Sequence, residues 1–453
     1  MDRMVLTEPG ERARARAPEY CDEDYPPIDG GFQNRTYFHP LTPTAVLAAW
    51  RRAAREIRVG RSPADVGIHV HWPFCRERCA YCYCDARVAR RQDDPDAVLR
   101  ALLEELRYFA PALAGVTVSS VNICGGTPTQ AGAAALDALL GEIARLFSVD
   151  IPAAARLEAT EATLGDGVLG VLSRRGISRV DLGVDSLDEG VLAAVGRRQS
   201  VQGVERALRG LSEAGVDDDG VSLMFGLPGQ TASSFLRDVA WVIRRRPRRV
   251  LLYGFDARPQ TDFFRAGGRL GPERRREIAL VLRAARRLFR GLYEIDDSSW
   301  RPASFLLGVG WSAMSRIFGS LWYQHPPLGS RAARAGVVPP FFGMESSLDE
   351  EMRGYVVRGL YRAGRAEADG FRRTFGRSML SAAALRAGAR EFASRGFGRI
   401  ERDGIFSFRG GKAPSIARRL FYSPKVVRAL AQSRPRGRAP ETECLSYVRA
   451  VAR

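Results

Sequence analysis

The chain has 453 residues, of which 45% are hydrophobic and 26% charged, and a formal net charge of +18. That length exceeds one small domain and suits a large α/β domain with a smaller companion. No apolar run is long enough to span a bilayer, and the N-terminus lacks the apolar core of a secretion signal. A cytoplasmic protein without a membrane partner is therefore expected.

The excess charge is almost all arginine, because lysine occurs only at Lys412 and Lys425. The arginines are scattered, with runs at 12–16, 244–249, 274–276 and 434–438, and no aromatic-interleaved stripe accompanies them. This pattern argues against a nucleic-acid partner and leaves room for an anionic small molecule.

Residues 1–60 read as an N-terminal extension, polar and punctuated by Pro and Gly, with one helix expected at 42–57. From 61 to 262 the pattern alternates between apolar runs and amphipathic runs. Strands are expected at 66–71, 120–124, 156–160, 179–184, 221–226 and 250–255. Helices are expected at 95–109, 132–147, 165–175, 202–214 and 233–245. Repeated βα units of this kind give a parallel sheet. The fold class is thus α/β, a partial (β/α)6 TIM-like barrel, with chemistry at the carboxyl ends of its strands.

Residues 263–344 read as a barrel-completing and connecting segment that opens with a long basic helix at 272–292. Residues 345–411 contain helical runs and then RIERDGIFSFRG, in which Asp403-Gly404 is a hairpin signal. This suggests a small C-terminal helical, winged-helix-like domain that packs rather than binds DNA. Residues 412–453 form a basic tail.

Of seven cysteines, four fall between Cys75 and Cys84, while Cys21, Cys124 and Cys444 stand alone. Crowding of this kind suits a metal site better than a disulfide framework. Cys75, Cys79 and Cys82 are spaced C-x3-C-x2-C directly after the first strand. Three thiolates on one loop can each bind one iron of a [4Fe–4S] cubane. The fourth iron is left open, and S-adenosylmethionine (SAM) can chelate it through its amino and carboxyl groups. Zinc is the competing reading. It favours paired C-x2-C elements and a fourth ligand, which His71 or Cys84 would have to supply. Cys84 can be read as a ligand, a cavity-lining group or a packing residue.

Three further motifs support the cluster reading. Gly125-Gly126-Thr127-Pro128-Thr129 follows the second strand, where two glycines permit close backbone approach and free amides and carbonyls can meet an ammonium. Glu158 lies near the end of the third strand and can pair with an ammonium or a ribose. Gly226-Leu227-Pro228-Gly229-Gln230-Thr231 follows the fifth strand as a tight turn, with Thr231 a candidate helix N-cap.

Together these segments resemble the HemN-like radical SAM proteins, the oxygen-independent coproporphyrinogen III dehydrogenase group that includes the class C radical SAM methyltransferases. The resemblance runs over roughly residues 60–410. It includes the cysteine segment at 71–84, GGTPT at 125–129, RVDLGVDS at 179–186, GRRQS at 196–200 and FGLPGQT at 225–231. LLGVGWSAMS at 306–315 and DEEMRGYVVRGL at 349–360 look like the group's C-terminal region.

The resemblance implies a radical SAM barrel holding a [4Fe–4S] cluster and two SAM molecules. By position, the first SAM would touch His69, Tyr81, Gly125 and Glu158. The second would touch Gly126, Thr127, Asp185, Arg197 and Ser222. Asp256 and Met314 complete the expected cofactor set. Three positions depart from the group's pattern, since a Tyr is common at 69, a Gln is usual at 185 and an Asp is usual at 222. The exchange at 185 and 222 suggests that one carboxylate has moved between neighbouring strands.

The leading expectation is a class C type enzyme that uses the second SAM as a methylene donor to an sp2 carbon, giving C-methylation or cyclopropanation of a specialised small molecule. His69, Cys84, Tyr323 and His325 are the candidate bases. The alternatives are oxidative decarboxylation of coproporphyrinogen III and a non-catalytic haem chaperone. A flavodoxin- or ferredoxin-type donor would supply electrons.

Overall fold

A computed structural model describes residues 39–62, 66–91, 93–290, 294–296, 305–327, 341–408 and 420–425. The expectations for residues 1–38 and for most of the basic tail lie outside the described residues. The chain divides into two units, one built on 41–317 and 324–341, the other on 318–323 and the segment from 342 onward.

The larger unit is organised by strands whose two faces differ. They are β1 (Val66–Trp72), β2 (Ser120–Gly125), β3 (Ala155–Ala159), β4 (Arg179–Asp185), β5 (Asp218–Phe225) and β6 (Arg249–Gly254). Along β1, Val66, Ile68, Val70 and Trp72 are buried apolar residues, and His69 and His71 alternate with them. The period of two sends the first set to one face and the histidines to the other. The same alternation sets Val121 and Ile123 against Asn122 and Cys124, Leu157 and Ala159 against Arg156 and Glu158, and Val180, Leu182 and Val184 against Asp181 and Asp185. One face of the sheet is therefore a hydrocarbon layer, and the other is polar and charged.

The helices α1 (Pro43–Arg58), α2 (Pro95–Phe109), α3 (Ala133–Leu146), α4 (Asp166–Arg174), α5 (Val201–Glu213), α6 (Ala232–Arg245) and α7 (Pro272–Phe289) connect or flank these strands. Four start on side-chain caps, with Thr42, Asp94, Ser200 and Thr231 each accepting a first-turn amide.

Two more parallel strands extend the six expected ones. β7 (Glu294–Asp296) lies beside β6, and β8 (Phe305–Val309) lies beside β1. Among the described residues the parallel order is β8-β1-β2-β3-β4-β5-β6-β7, with β9 (Met314–Ile317) antiparallel to β8. This is an α/β partial barrel. All the parallel strands end on the same side, and that side receives the loops that carry the motifs.

At the opposite end of the strands lies a buried ion-pair layer. Asp181 on β4 pairs with Arg156 on β3, and also with Arg249 on β6 at 2.8 Å. Arg249 pairs as well with Asp218 at the start of β5. Arg249 is wholly buried, so this layer is a floor rather than a surface network.

In the smaller unit, α8 (Leu348–Ala363), β10 (Arg365–Glu367), α9 (Ala368–Phe375), α10 (Ala383–Ser394), β11 (Gly398–Glu401) and β12 (Gly404–Ser407) follow in that order. Their sheet order is β10-β12-β11, which is winged-helix connectivity. Val356, Phe371, Leu385, Phe392 and Ile405 form the core. The hairpin turn sits one residue earlier than the Asp-Gly signal suggests. Gly404 already pairs with Glu401, so Arg402 and Asp403 make the turn. Among the described residues no helix is long and apolar enough to cross a membrane.

Candidate active site

The loop after β1 carries Cys75, Cys79 and Cys82, all unpaired and half-buried. It is fixed on two sides. The Ala80 amide donates to the Val195 carbonyl at 2.8 Å, and the Ala80 carbonyl accepts from the Phe263 amide at 2.9 Å. Ala80 and Tyr81 also pack on the buried apolar group Val191, Val195, Leu227 and Phe255. Thr127 Oγ1 donates to Cys75 Sγ at 3.6 Å, and burial pushes the Cys75 thiol up to about 11. The Cys82 thiol is lowered to about 7, chiefly by its hydrogen bond with Cys84 and further by Arg78, against the effect of burial. That same bond holds Cys84 well above the usual thiol range, so Cys84 is the protonated partner of the pair.

Among the described residues no three His, Cys, Asp or Glu side chains converge as ligands of a single metal ion. A cubane takes one thiolate per iron, and Cys75, Cys79 and Cys82 are three thiols on one loop.

The GGTPT loop after β2 corrects one expectation. A Cβ on Gly125 would lie 2.6 Å from His71 Nδ1, and one on Gly126 would lie 2.3 Å from the Phe74 carbonyl oxygen. Gly125 also holds φ at +111°. The glycines are therefore required by protein packed against them. The amides of Gly126 and Thr127 are not free, because they donate to the carbonyls of Trp72 (2.6 Å) and Phe74 (2.8 Å). The loop can offer an ammonium its carbonyls, not these amides.

At the end of β4 the structure brings together four expected site residues. Asp185 adopts φ +62°, a left-handed conformation rare for a residue with a side chain. Its Oδ1 accepts from Ser222 Oγ at 2.6 Å, and its Oδ2 accepts from both Tyr81 OH and Arg197 Nη1. Arg197 Nη1 also lies 3.0 Å from Tyr81 OH, and Nη2 donates to Gln199 Oε1 at 2.9 Å and to the Gly183 carbonyl. The exchange read at 185 and 222 is thus a direct contact pair. Gln199, absent from the sequence-based set, locks the corner by donating to the carbonyls of Val184 and Ser186.

Glu158 projects from β3 on the polar face. Burial raises its carboxyl to about 7, with Arg156 opposing and Asp181 and Cys82 adding repulsion. His69 faces Cys124 across β1 and β2, with Nδ1 3.5 Å from Cys124 Sγ, and burial lowers its ring to about 3. His69 is therefore neutral and cannot supply a positive charge. Asp256, just past β6, pairs at 3.2 Å with Arg258, whose guanidinium lies 4.3 Å from the Tyr83 ring centre. The turn after β5 braces itself, with Gln230 Oε1 accepting the Gly226 amide at 2.8 Å and Thr231 capping α6.

Three further candidates have surroundings of their own. His325 is buried, with Nδ1 3.1 Å from the Ala313 carbonyl and Nε2 against Glu105 of α2. Both ring nitrogens are engaged in holding segments together. Tyr323 is wholly buried and belongs to the other unit. Met314 opens β9, and its backbone packs against Gly308 of β8.

Residues 69–242 match the model of the Radical SAM superfamily. The oxygen-independent coproporphyrinogen III oxidase of Bradyrhizobium diazoefficiens is 29% identical over 240 residues, 53% of this chain and 52% of that protein. The heme chaperone HemW of Lactococcus lactis is 29% identical over 195 residues, 43% of this chain and 50% of that one. The chain spans about half the length of the curated relatives it matches. The solved coproporphyrinogen III oxidase HemN of Escherichia coli superposes with a TM-score of 0.68 at 21% identity, covering 87% of this chain and 94% of that one. At that identity the likeness speaks for the fold.

The fold and the cysteine loop therefore define a radical SAM protein, with a [4Fe–4S] cluster and SAM as its cofactors. Within that superfamily the chain is similar to HemN-like proteins over about half of its length.

Proposed function

We propose that Cys75, Cys79 and Cys82 ligate the cluster, and that the protein uses a second SAM as a one-carbon donor to an sp2 carbon of a small molecule. When reduced, the cluster supplies the electron that cleaves the first SAM to methionine and a 5′-deoxyadenosyl radical. The chain's residues then divide the remaining work. The Gly125 carbonyl, with Glu158, holds the first SAM's ammonium. Glu158 sits near neutrality, so it ionises readily when that cation arrives. Thr127, Asp185, Arg197 and Ser222 hold the second SAM. Its methyl group gives one hydrogen to the 5′-carbon, and the resulting carbon radical adds to the substrate. A proton shift through a base, one further electron from the external donor and loss of S-adenosylhomocysteine would then complete C-methylation or cyclopropanation.

The observation that carries this reading is the corner at β4 and β5. Ser222 and Asp185 stand where the resemblance leads one to expect an Asp and a Gln, and they bond to each other at 2.6 Å. A carboxylate is retained but held from the other strand by Tyr81 and Arg197. This paired exchange supports a second-cofactor site that differs from the group's usual one. For the base, Cys84 and His69 are the candidates on the polar face. A flavodoxin- or ferredoxin-type donor and a cytoplasmic location, where thiols stay reduced, complete the proposal.

A second reading is oxidative decarboxylation of coproporphyrinogen III, favoured by the activity named for the curated relative. Anaerobic turnover of reconstituted protein with SAM and coproporphyrinogen III, followed by mass spectrometry, separates the two. The proposal predicts an intact porphyrinogen. Loss of carboxyl groups from its propionates would establish the second reading.

A further inference from the structure

The segment from Cys79 to Ala86 runs outside any long ladder, and its carbonyls at 82, 84 and 86 converge on one side chain. Arg78 Nη1 donates to the carbonyls of Cys84 (3.0 Å) and Ala86 (2.7 Å), and Nη2 donates to that of Cys82 (3.0 Å). Its Nε lies 3.5 Å from Asp262 Oδ2, which presents the charge from the short helix Asp262–Arg265. A planar guanidinium can satisfy several acceptors from fixed directions, whereas a lysine ammonium cannot reproduce that fork. Its bond to the Cys82 carbonyl sets the guanidinium against the backbone of a proposed ligand.

We propose that Arg78 is a positioning residue for the iron–sulfur centre: it folds residues 82–86 into the ligating shape before iron arrives, and it raises the centre's reduction potential. Reduction adds a negative charge, and a fixed cation bonded to the backbone of the ligand loop favours the form that carries it. Asp262 opposes this effect by partly neutralising the guanidinium. The inference rests on the assignment of the cluster to Cys75, Cys79 and Cys82.

The test compares wild type with Arg78→Gln, Arg78→Lys and Asp262→Asn. It uses iron content after reconstitution, a redox titration of the cluster, and amide exchange of residues 79–86 in the apoprotein. Arg78→Gln should load iron, show a more negative potential, and exchange about tenfold faster or more through loss of its hydrogen bonds. Arg78→Lys should keep the potential near wild type but share the fast exchange, because charge is kept and the fork is lost. Asp262→Asn should move the potential upward. An iron-loaded Arg78→Gln with unchanged potential and exchange would overturn the proposal. If that variant does not fold or load, an Asp262→Asn potential equal to or below wild type would do so. A wild type that binds no cluster would instead overturn the underlying assignment.

Discussion

The two ends of the barrel's polar face are both buried and both charged, yet they are built differently. At the floor, Arg156, Asp181 and Arg249 reach one another from regular strands, and Arg249 also holds Asp218. At the mouth, Asp185 leaves the strand with positive φ and gathers Tyr81 from the cysteine loop, Arg197 from the segment before α5, and Ser222 from β5. The floor groups serve the sheet. The mouth groups come from separate loops and turn a carboxylate toward the place where the chemistry is proposed. One alternating strand pattern thus supplies cohesion at one end and a site at the other.

The sharpest break between the two ends is chemical. Cys75→Ala, Cys79→Ala and Cys82→Ala should each abolish SAM cleavage and lose bound iron while leaving the fold intact by circular dichroism. Cys84→Ala should keep the cluster. Full cleavage activity in any of the three ligand variants would break the assignment.

At the floor the expected loss is in stability. Asp181→Ala leaves Arg156 and Arg249 without their shared carboxylate, and breaking a buried charge pair costs about 3–5 kcal/mol. Denaturant unfolding should show that drop. A change below about 1 kcal/mol would place the pair in the class of exposed ion pairs and contradict the comparison.

At the mouth, Asp185→Asn should weaken SAM binding at the second site by about tenfold, the equivalent of roughly 1.4 kcal/mol, with less effect on unfolding than Asp181→Ala. Equilibrium binding of SAM before and after the substitution measures it. Unchanged affinity would mean that the carboxylate serves the fold alone.

The support under the mouth should respond to pH. Asp238 of α6 accepts from Ser186 Oγ (2.8 Å) and the Leu187 amide (3.0 Å), yet burial raises its carboxyl to about 6. The folded state therefore binds this proton more tightly than the unfolded state does. The group's contribution is full below the ordinary value of 3.8 and is lost as pH rises through about 6. Asp238→Asn should remove that slope, a change of up to about 3 kcal/mol between the two limits, in denaturant unfolding followed across this pH range.

The six central strands were legible because their apolar residues recur at every second position, and the cysteine loop was legible because its spacing is chemically specific. β7 was not, since Glu294–Asp296 carries two acids and little apolar pattern. The floor was not recognised either, although its signal is present: Arg156, Asp181 and Arg249 interrupt apolar strands at inward positions. Arg78 was hidden for a different reason. An arginine between two cysteines reads as a solvated charge until the carbonyls of 82, 84 and 86 are seen to converge on it. The setting of His325 was hidden as well, because a sequence cannot reveal that Glu105, 220 positions away, meets its ring nitrogen.

The most direct test of the proposed chemistry is anaerobic turnover with SAM carrying a trideuterated methyl group, followed by mass analysis of the 5′-deoxyadenosine released. Methylene transfer predicts deuterium in that product, because the 5′-carbon takes its hydrogen from a second SAM. 5′-Deoxyadenosine formed in amounts matching substrate consumption but free of deuterium would contradict it.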